Sequence, residues 1–166
     1  MALSNITGSI AASYNIKVTD DNFNNPTFIA NAPVNQAYSF GTGAGQVDLI
    51  YSAETTVGGG GNLQIVLDNG SITDVFGNTI SFVTIKSIRV QHAADSASSS
   101  VSLTGSFFDN EFTSLLFNQA LLPGSLYLIS QASTGYGVGA AENIIIDNND
   151  GSNGAVFTVE ILGTSV

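Results

Sequence analysis

Ser71-Ile72-Thr73-Asp74-Val75-Phe76-Gly77-Asn78-Thr79-Ile80-Ser81-Phe82-Val83-Thr84-Ile85-Lys86-Ser87-Ile88 reads as a turn that feeds a strand. Asp, Gly and Asn are turn formers, so residues 71–77 are expected to make a single tight turn, with Phe76 plugged into a core. From Thr79 to His92 β-branched and aromatic residues dominate, the composition of a long strand. Its alternation changes parity near Thr84, which marks a bulge or bend.

The same grammar continues toward the C-terminus. Ser100 to Gly105, Leu126 to Ser130, Asn143 to Asp147 and Ala155 to Leu162 read as strands, separated by Ala93 to Ser100, Pro123-Gly124, Ser133 to Gly139 around Tyr136, and Asn148 to Gly154. In 126–130 the expected inward pair is Leu126 and Leu128. Phe112, Leu115, Leu116 and Ala120 have helical spacing, so Ser106 to Ala120 is the one stretch expected to hold a helical turn or two.

Toward the N-terminus, Asn62 to Leu67 places Leu63, Ile65 and Leu67 on one face, and Asp68-Asn69-Gly70 is a tight-hairpin signal. Gly58 to Gly61 is a loop, and Gln46 to Ala53 opens the main unit. Gly41-Thr42-Gly43-Ala44-Gly45 reads as a flexible joint. Before it, a short strand is expected near Ala37 to Phe40 and a polar loop over Asp20 to Pro26. A half-buried strand runs over 10–18, where Ile10, Tyr14, Ile16 and Val18 share one parity.

Seven to nine short strands without βαβ alternation point to a sandwich of jelly-roll or immunoglobulin type. Hydrophobic residues are 43% of 166, enough for one core. The expected fold is all-β: a jelly-roll-like β-sandwich over 46–166, with an additional N-terminal strand segment or arm over 1–45. No fixed repeat that would signal a solenoid is visible.

Charge narrows function. Lys17, Lys86 and Arg89 are the only bases, and the formal net charge is -10. Three cations cannot build the basic patch that neutralises phosphates, so nucleic acid and anionic membrane surfaces are not expected partners. The chain has no Cys, and no apolar run approaches the roughly 20 residues of a membrane span. Met1 to Asn5 lacks a basic n-region and an apolar h-region, so no signal peptide is expected.

Catalytic vocabulary is thin. His92, the sole histidine, sits at a strand end and is expected there or at the surface; Asp95 and Ser96 are near in sequence only. No facing carboxylate pair and no phosphate-binding loop stand out, so neither an enzyme nor a cofactor is expected. Asp147, Asn149 and Asp150 offer oxygen ligands in a loop faintly like a calcium site. However, Gly151 falls one place early for an EF-hand and the closing Glu is missing, so a plain turn explains the same residues.

The stretch quoted first resembles small all-β decoration, or cement, proteins encoded beside capsid genes in tailed bacteriophages. The matching residues are Asp74, Phe76-Gly77-Asn78-Thr79, and Phe82, Ile85, Lys86 and Ile88. They are joined by Asp48-Leu49-Ile50-Tyr51, Pro123-Gly124, Gly135-Tyr136, and Ile161 with Gly163. The resemblance covers roughly residues 46–166 and leaves out the first 45. It implies a β-sandwich homotrimer on the outer capsid surface, made in the host cytoplasm and bridging capsomers of the major capsid protein. Ile10, Tyr14, Ile16 and Val18 then become candidate trimer or capsid contacts. The alternative is a glycan-binding, lectin-like module on a phage head or cell surface; it would need an exposed aromatic or Asp/Asn groove.

Overall fold

The structure, a computed structural model, describes residues 7–12, 15–19, 27–31, 34–74, 76–112 and 119–166. Its strands are β1 Thr7–Ala12, β2 Asn15–Thr19, β3 Thr27–Asn31, β4 Val34–Phe40, β5 Gln46–Val47, β6 Leu49–Val57, β7 Asn62–Val66, β8 Ile72–Thr73, β9 Thr79–Ile80, β10 Thr84–His92, β11 Val101–Thr104, β12 Gln119–Leu121, β13 Leu126–Ser130, β14 Tyr136–Gly137, β15 Asn143–Asn148 and β16 Ala155–Thr164. One helix, α1, spans Ser106–Glu111.

Eight of these strands make the sandwich. One sheet runs β13-β10-β16-β6, with β14 also on β10; the other runs β12-β11-β15-β7. The antiparallel pairs β6·β16, β7·β15, β10·β13 and β11·β12 nest inside one another like one long hairpin. Rolling that hairpin adds β10·β16 and β11·β15 and produces two facing sheets. This is jelly-roll connectivity, and it separates the fold from the immunoglobulin arrangement.

Burial follows the pleat. Along β15 and β16 buried and half-buried residues alternate, so Ile144, Ile146, Phe157, Val159 and Ile161 fill the space between the sheets. Facing them are Ile65, Leu67, Ile88, Val90, Val101 and Leu103. The parity break lies where expected: the β10·β16 register shifts between Ile85 and Ser87, so consecutive residues 85–88 are all buried.

The rolled topology sorts the connections. Four short ones, 58–61, 93–100, 122–125 and 149–154, join the sheets at one end. At the other end 67–83 and 131–142 cross between the sheets and carry β8–β9 and β14, while α1 follows β11, which pairs with β12 in the same sheet. Phe107 and Phe108 of α1 are fully buried and plug that second end.

Several local expectations change. Asp68-Asn69-Gly70 closes no hairpin, because β7 pairs with β15 and β8 with β9. Its turn chemistry survives: Gly70 has φ 68° and Asn69 Oδ1 accepts the Ser71 amide at 2.9 Å. Residues 71–80 form a small hairpin, not a lone turn, and Phe76 is 71% exposed at its tip instead of plugging a core. On β13, Tyr127 and Ile129 pack inward, while Leu126 is exposed. The helix buries Phe107 and Phe108 near its start; Ala120 belongs to β12, and Leu115 and Leu116 lie outside the described residues.

The single strand expected over 10–18 is found as β1 and β2, which pair with β4 and β3 respectively. Tyr14 and the 20–26 loop lie outside the described residues.

Candidate functional site

The joint between the arm and the sandwich is held by backbone pairing and a buried tyrosine. β4 pairs in parallel with β5 through Ser39↔Gln46 and Phe40↔Val47. A parallel contact between such close segments needs a sharp turn. Gly41 (φ 137°) and Gly45 (φ 67°) adopt the backbone that L-residues avoid, and Gly45 donates to Ala132 O at 2.7 Å. The glycine-rich segment is therefore a hydrogen-bonded corner, not the flexible joint its composition suggested.

Tyr38 fixes the arm. Its ring is buried with Val47 against Ile50, Ala132 and Leu162. Its hydroxyl lies within hydrogen-bonding distance of Ser130 Oγ (2.7 Å), Lys86 O (3.2 Å) and Gln36 Oε1 (3.3 Å), acceptors that share its one proton; Ser130 Oγ donates to Gln36 Oε1. Burial raises the phenol's pKa, so this hydroxyl stays a neutral donor. Nothing in the local pattern of residues 37–40 announces this anchor, because its acceptors come from β10 and β13.

Of the candidate contacts, Ile10 stands opposite Gln36 in the β1·β4 ladder, Ile16 opposite Ala30 and Val18 opposite Phe28 in β2·β3.

The bases of the sandwich are already engaged. Lys86 is 3% exposed and its ammonium donates to Ser133 O at 2.9 Å and Thr134 O at 2.8 Å. Arg89 pairs with Glu160 at 2.9 Å and also reaches Gln91 Oε1. Residues 46–166 hold eleven of the thirteen acids and these two bases, so the sandwich presents a surface of largely uncompensated negative charge.

The motif that carries the resemblance performs structural work here. Asp74 Oδ1 accepts the Phe76 and Asn78 amides, each at 2.8 Å, and Oδ2 accepts Asn78 Nδ2 at 2.9 Å. These bonds, led by the Asn78 side chain, lower the Asp74 pKa. Gly77 has φ 82°, and Phe82 and Ile85 are core residues. The outcome is a rigid turn that holds the Phe76 ring out into solvent.

The oxygen-rich loop satisfies itself. Asp147 Oδ2 accepts Thr104 Oγ1 at 3.0 Å, and Asn149 Nδ2 donates to Ser102 Oγ at 2.7 Å. Asp150 Oδ1 accepts the Ser152 and Asn153 amides at 2.9 and 3.0 Å. Among the described residues no three His, Cys, Asp or Glu side chains converge as a metal cluster.

The Ser152 amide, the Asn153 side chain and the Asn153 amide pull the Asp150 carboxyl down to about 2. A depressed pKa stabilises the fold above the unfolded-state value, and the effect is lost as pH falls through the folded value. Asp150→Ala is therefore expected to flatten the acid limb of stability between pH of about 4 and about 2. Urea midpoints across that range test it; identical slopes in both proteins refute it.

His92 is fully buried, not at the surface, although it does end β10. Its Nδ1 lies 2.9 Å from Leu121 O, so Nδ1 carries the proton, and Nε2 has no hydrogen-bond partner. Asp95 is exposed and Ser96 Oγ accepts the Val156 amide, so neither joins the ring.

No protein-family model matches the chain, and no curated protein matches it. Among solved structures, the solution NMR structure of a de novo designed double-stranded β-helix aligns with 67% of this chain and 97% of that chain. Sequence identity is 12% and the TM-score 0.37. A likeness at that score carries no argument, and the fold rests on the strand pairing above.

Proposed function

We propose that this protein is a non-enzymatic structural component of a virion: a capsid decoration, or cement, protein. In this reading it sits on the outer capsid surface as a homotrimer and bridges capsomers of the major capsid protein. The observation that carries the reading is the arm. A two-stranded segment is joined to a complete jelly roll by a rigid corner and a buried Tyr38. Two-stranded ribbons are at best marginal in water, which supports an assembled state for the part of the arm beyond the β4·β5 pairing.

Three features support it. Asp74 caps a turn, Gly77 supplies its positive φ, and Phe82 and Ile85 are core residues, which is compatible with the resemblance. Jelly rolls are a recurrent architecture of capsid proteins, although lectins use them too. The acidic sandwich suits a basic surface on a shell, and many modest contacts on a repeating lattice add by multivalency.

The test is the copy number of the protein in purified heads. A fixed stoichiometry with the major capsid protein, in multiples of three per lattice site, is expected. Absence from the particles overturns the reading, and saturable binding to a glycan array would move it to the lectin alternative.

A further inference from the structure

A strand at the edge of a sheet presents unpaired N–H and C=O groups, and folded proteins blunt such edges by shortness, bulges, prolines, lysines or a covering element. At the edges of this sandwich β7 and β13 have five residues each and β12 has three. β6 is built otherwise. It is nine residues long, contains neither lysine nor proline, and pairs with β16 without a register shift from Leu49↔Gly163 to Val57↔Ala155. The arm stops short of it: β4 pairs with β5 at residues 46 and 47, and among the described residues β16 is the one strand paired with β6. Burial shows that the edge is open. Phe157, Val159 and Ile161 on β16 are fully buried, yet their opposed partners Thr55, Ala53 and Tyr51 are only half-buried. On the other face of β6, Ser52, Glu54 and Thr56 are exposed.

Backbone chemistry sets the form of the occupant: only another extended chain satisfies a row of strand N–H and C=O groups. Charge sets its sign. Residues 46–70 contain Asp48, Glu54 and Asp68 and no base. Glu54 stands opposite Thr158, and Arg89 is already paired with Glu160. A second sandwich, with eleven acids and two bases of its own, would set acid against acid along this edge. We infer that the free edge of β6 takes up an extended basic segment of the shell protein as an added strand. This deepens the decoration reading and rests on it for the source of the segment. The pleat dictates the segment's pattern. Every second side chain lies beside Ser52, Glu54 and Thr56, in water and next to a carboxylate, and is lysine or arginine. The side chains between them cover the half-buried Tyr51, Ala53 and Thr55 and are apolar. Ladder hydrogen bonds hold the segment, and the alternation of charge selects it.

The probe is a fluorescent peptide of alternating lysine and valine, matched to β6 in length. Its control has the central valine replaced by proline, which keeps every charge but interrupts the ladder. In anisotropy titrations of the full-length protein the uninterrupted peptide is expected to bind roughly tenfold more tightly than the control. It is also expected to slow amide hydrogen exchange in residues 49–57 and to leave β13 unchanged. Glu54→Lys, a change at an exposed position, is expected to weaken binding roughly tenfold. Equal binding of the two peptides would mean adhesion by charge alone and overturns the assignment. So does protection that falls outside β6, or no binding of the uninterrupted peptide. On purified heads, a bound chain whose β6 amides exchange as in the free protein overturns the edge site and leaves the decoration reading standing. Strand addition by the peptide, with the chain missing from heads, upholds the edge and overturns the decoration reading with the shell as its source.

Discussion

Asn148→Asp is expected to destabilise the protein by about 3–5 kcal/mol at neutral pH, the range for an uncompensated buried charge. Asn148 is 4% exposed and ties the short-loop end of the jelly roll together. Its Nδ2 donates to Val57 O and Gly58 O at 3.1 Å and to Asn153 O at 2.7 Å. Its Oδ1 accepts Ser98 Oγ at 2.7 Å and the Asp150 amide at 3.1 Å. One side chain thus links the 58–61, 93–100 and 149–154 connections. Aspartate keeps the shape and loses both donors, so a carboxylate faces three carbonyl oxygens with no positive charge beside them. The new carboxyl's pKa must rise above its unfolded value. Its neutral form is tolerated below that value, and the penalty grows as pH rises through the folded value. Urea midpoints should therefore show a larger deficit relative to wild type at pH 7.5 than at pH 5. An equal deficit at both pH values would mean that lost packing, not charge, is the cause. Asn148→Ala separates the two terms: it removes the amide without adding charge and should show no such pH dependence.

Phe107→Ala is expected to cost about 3–5 kcal/mol, the range for a fully buried phenylalanine reduced to a methyl. Phe107 packs edge-on against Phe108, with ring centroids 5.6 Å apart, and against Tyr136 at 6.4 Å. It sits on a helix of six residues, too short to hold together without tertiary contacts. The helix is therefore a carrier for two aromatic rings that close the long-loop end of the sandwich. The check is a denaturant titration in which the midpoint falls while the slope stays constant. Phe112 is half-buried, and its replacement by alanine should cost less. Equal losses at 107 and 112 would contradict the plug. A loss of this size is a large share of the roughly 5–15 kcal/mol that holds a typical domain folded.

Spacing pointed to Phe112, Leu115, Leu116 and Ala120 as the apolar stripe of 106–120; Leu115 and Leu116 lie outside the described residues, Phe112 packs half-buried against the core, and the fully buried pair is Phe107 and Phe108, which the stripe left out. A stripe reports a face only when the helix is long enough to have one. Phe76 departs from expectation in the other direction. A large aromatic beside a turn reads as core, but Asp74 takes up the turn amides and the hairpin lifts the ring into water. Hydrophobicity states what a residue would gain from burial; it does not state whether the backbone can bring it there.

Strand positions, turn residues and the bulge after Thr84 were legible because they depend on contacts within a few residues: β-branched content, pleat parity, and backbone freedom at Gly70 and Gly77. The all-β class followed from the same local terms. Partner choice did not. Asp68-Asn69-Gly70 has hairpin chemistry, yet its flanking strands pair with β15 and β9, because burying a two-sided core outweighs joining neighbours in sequence. Tyr38, Lys86 and Asn148 gained their roles the same way, through acceptors 48, 47 and 91 residues distant in the chain. A local pattern limits what the backbone at each position can do. Which distant groups meet it is set by closing the core, with every buried polar atom competing for a partner, and that competition is settled across the whole chain at once.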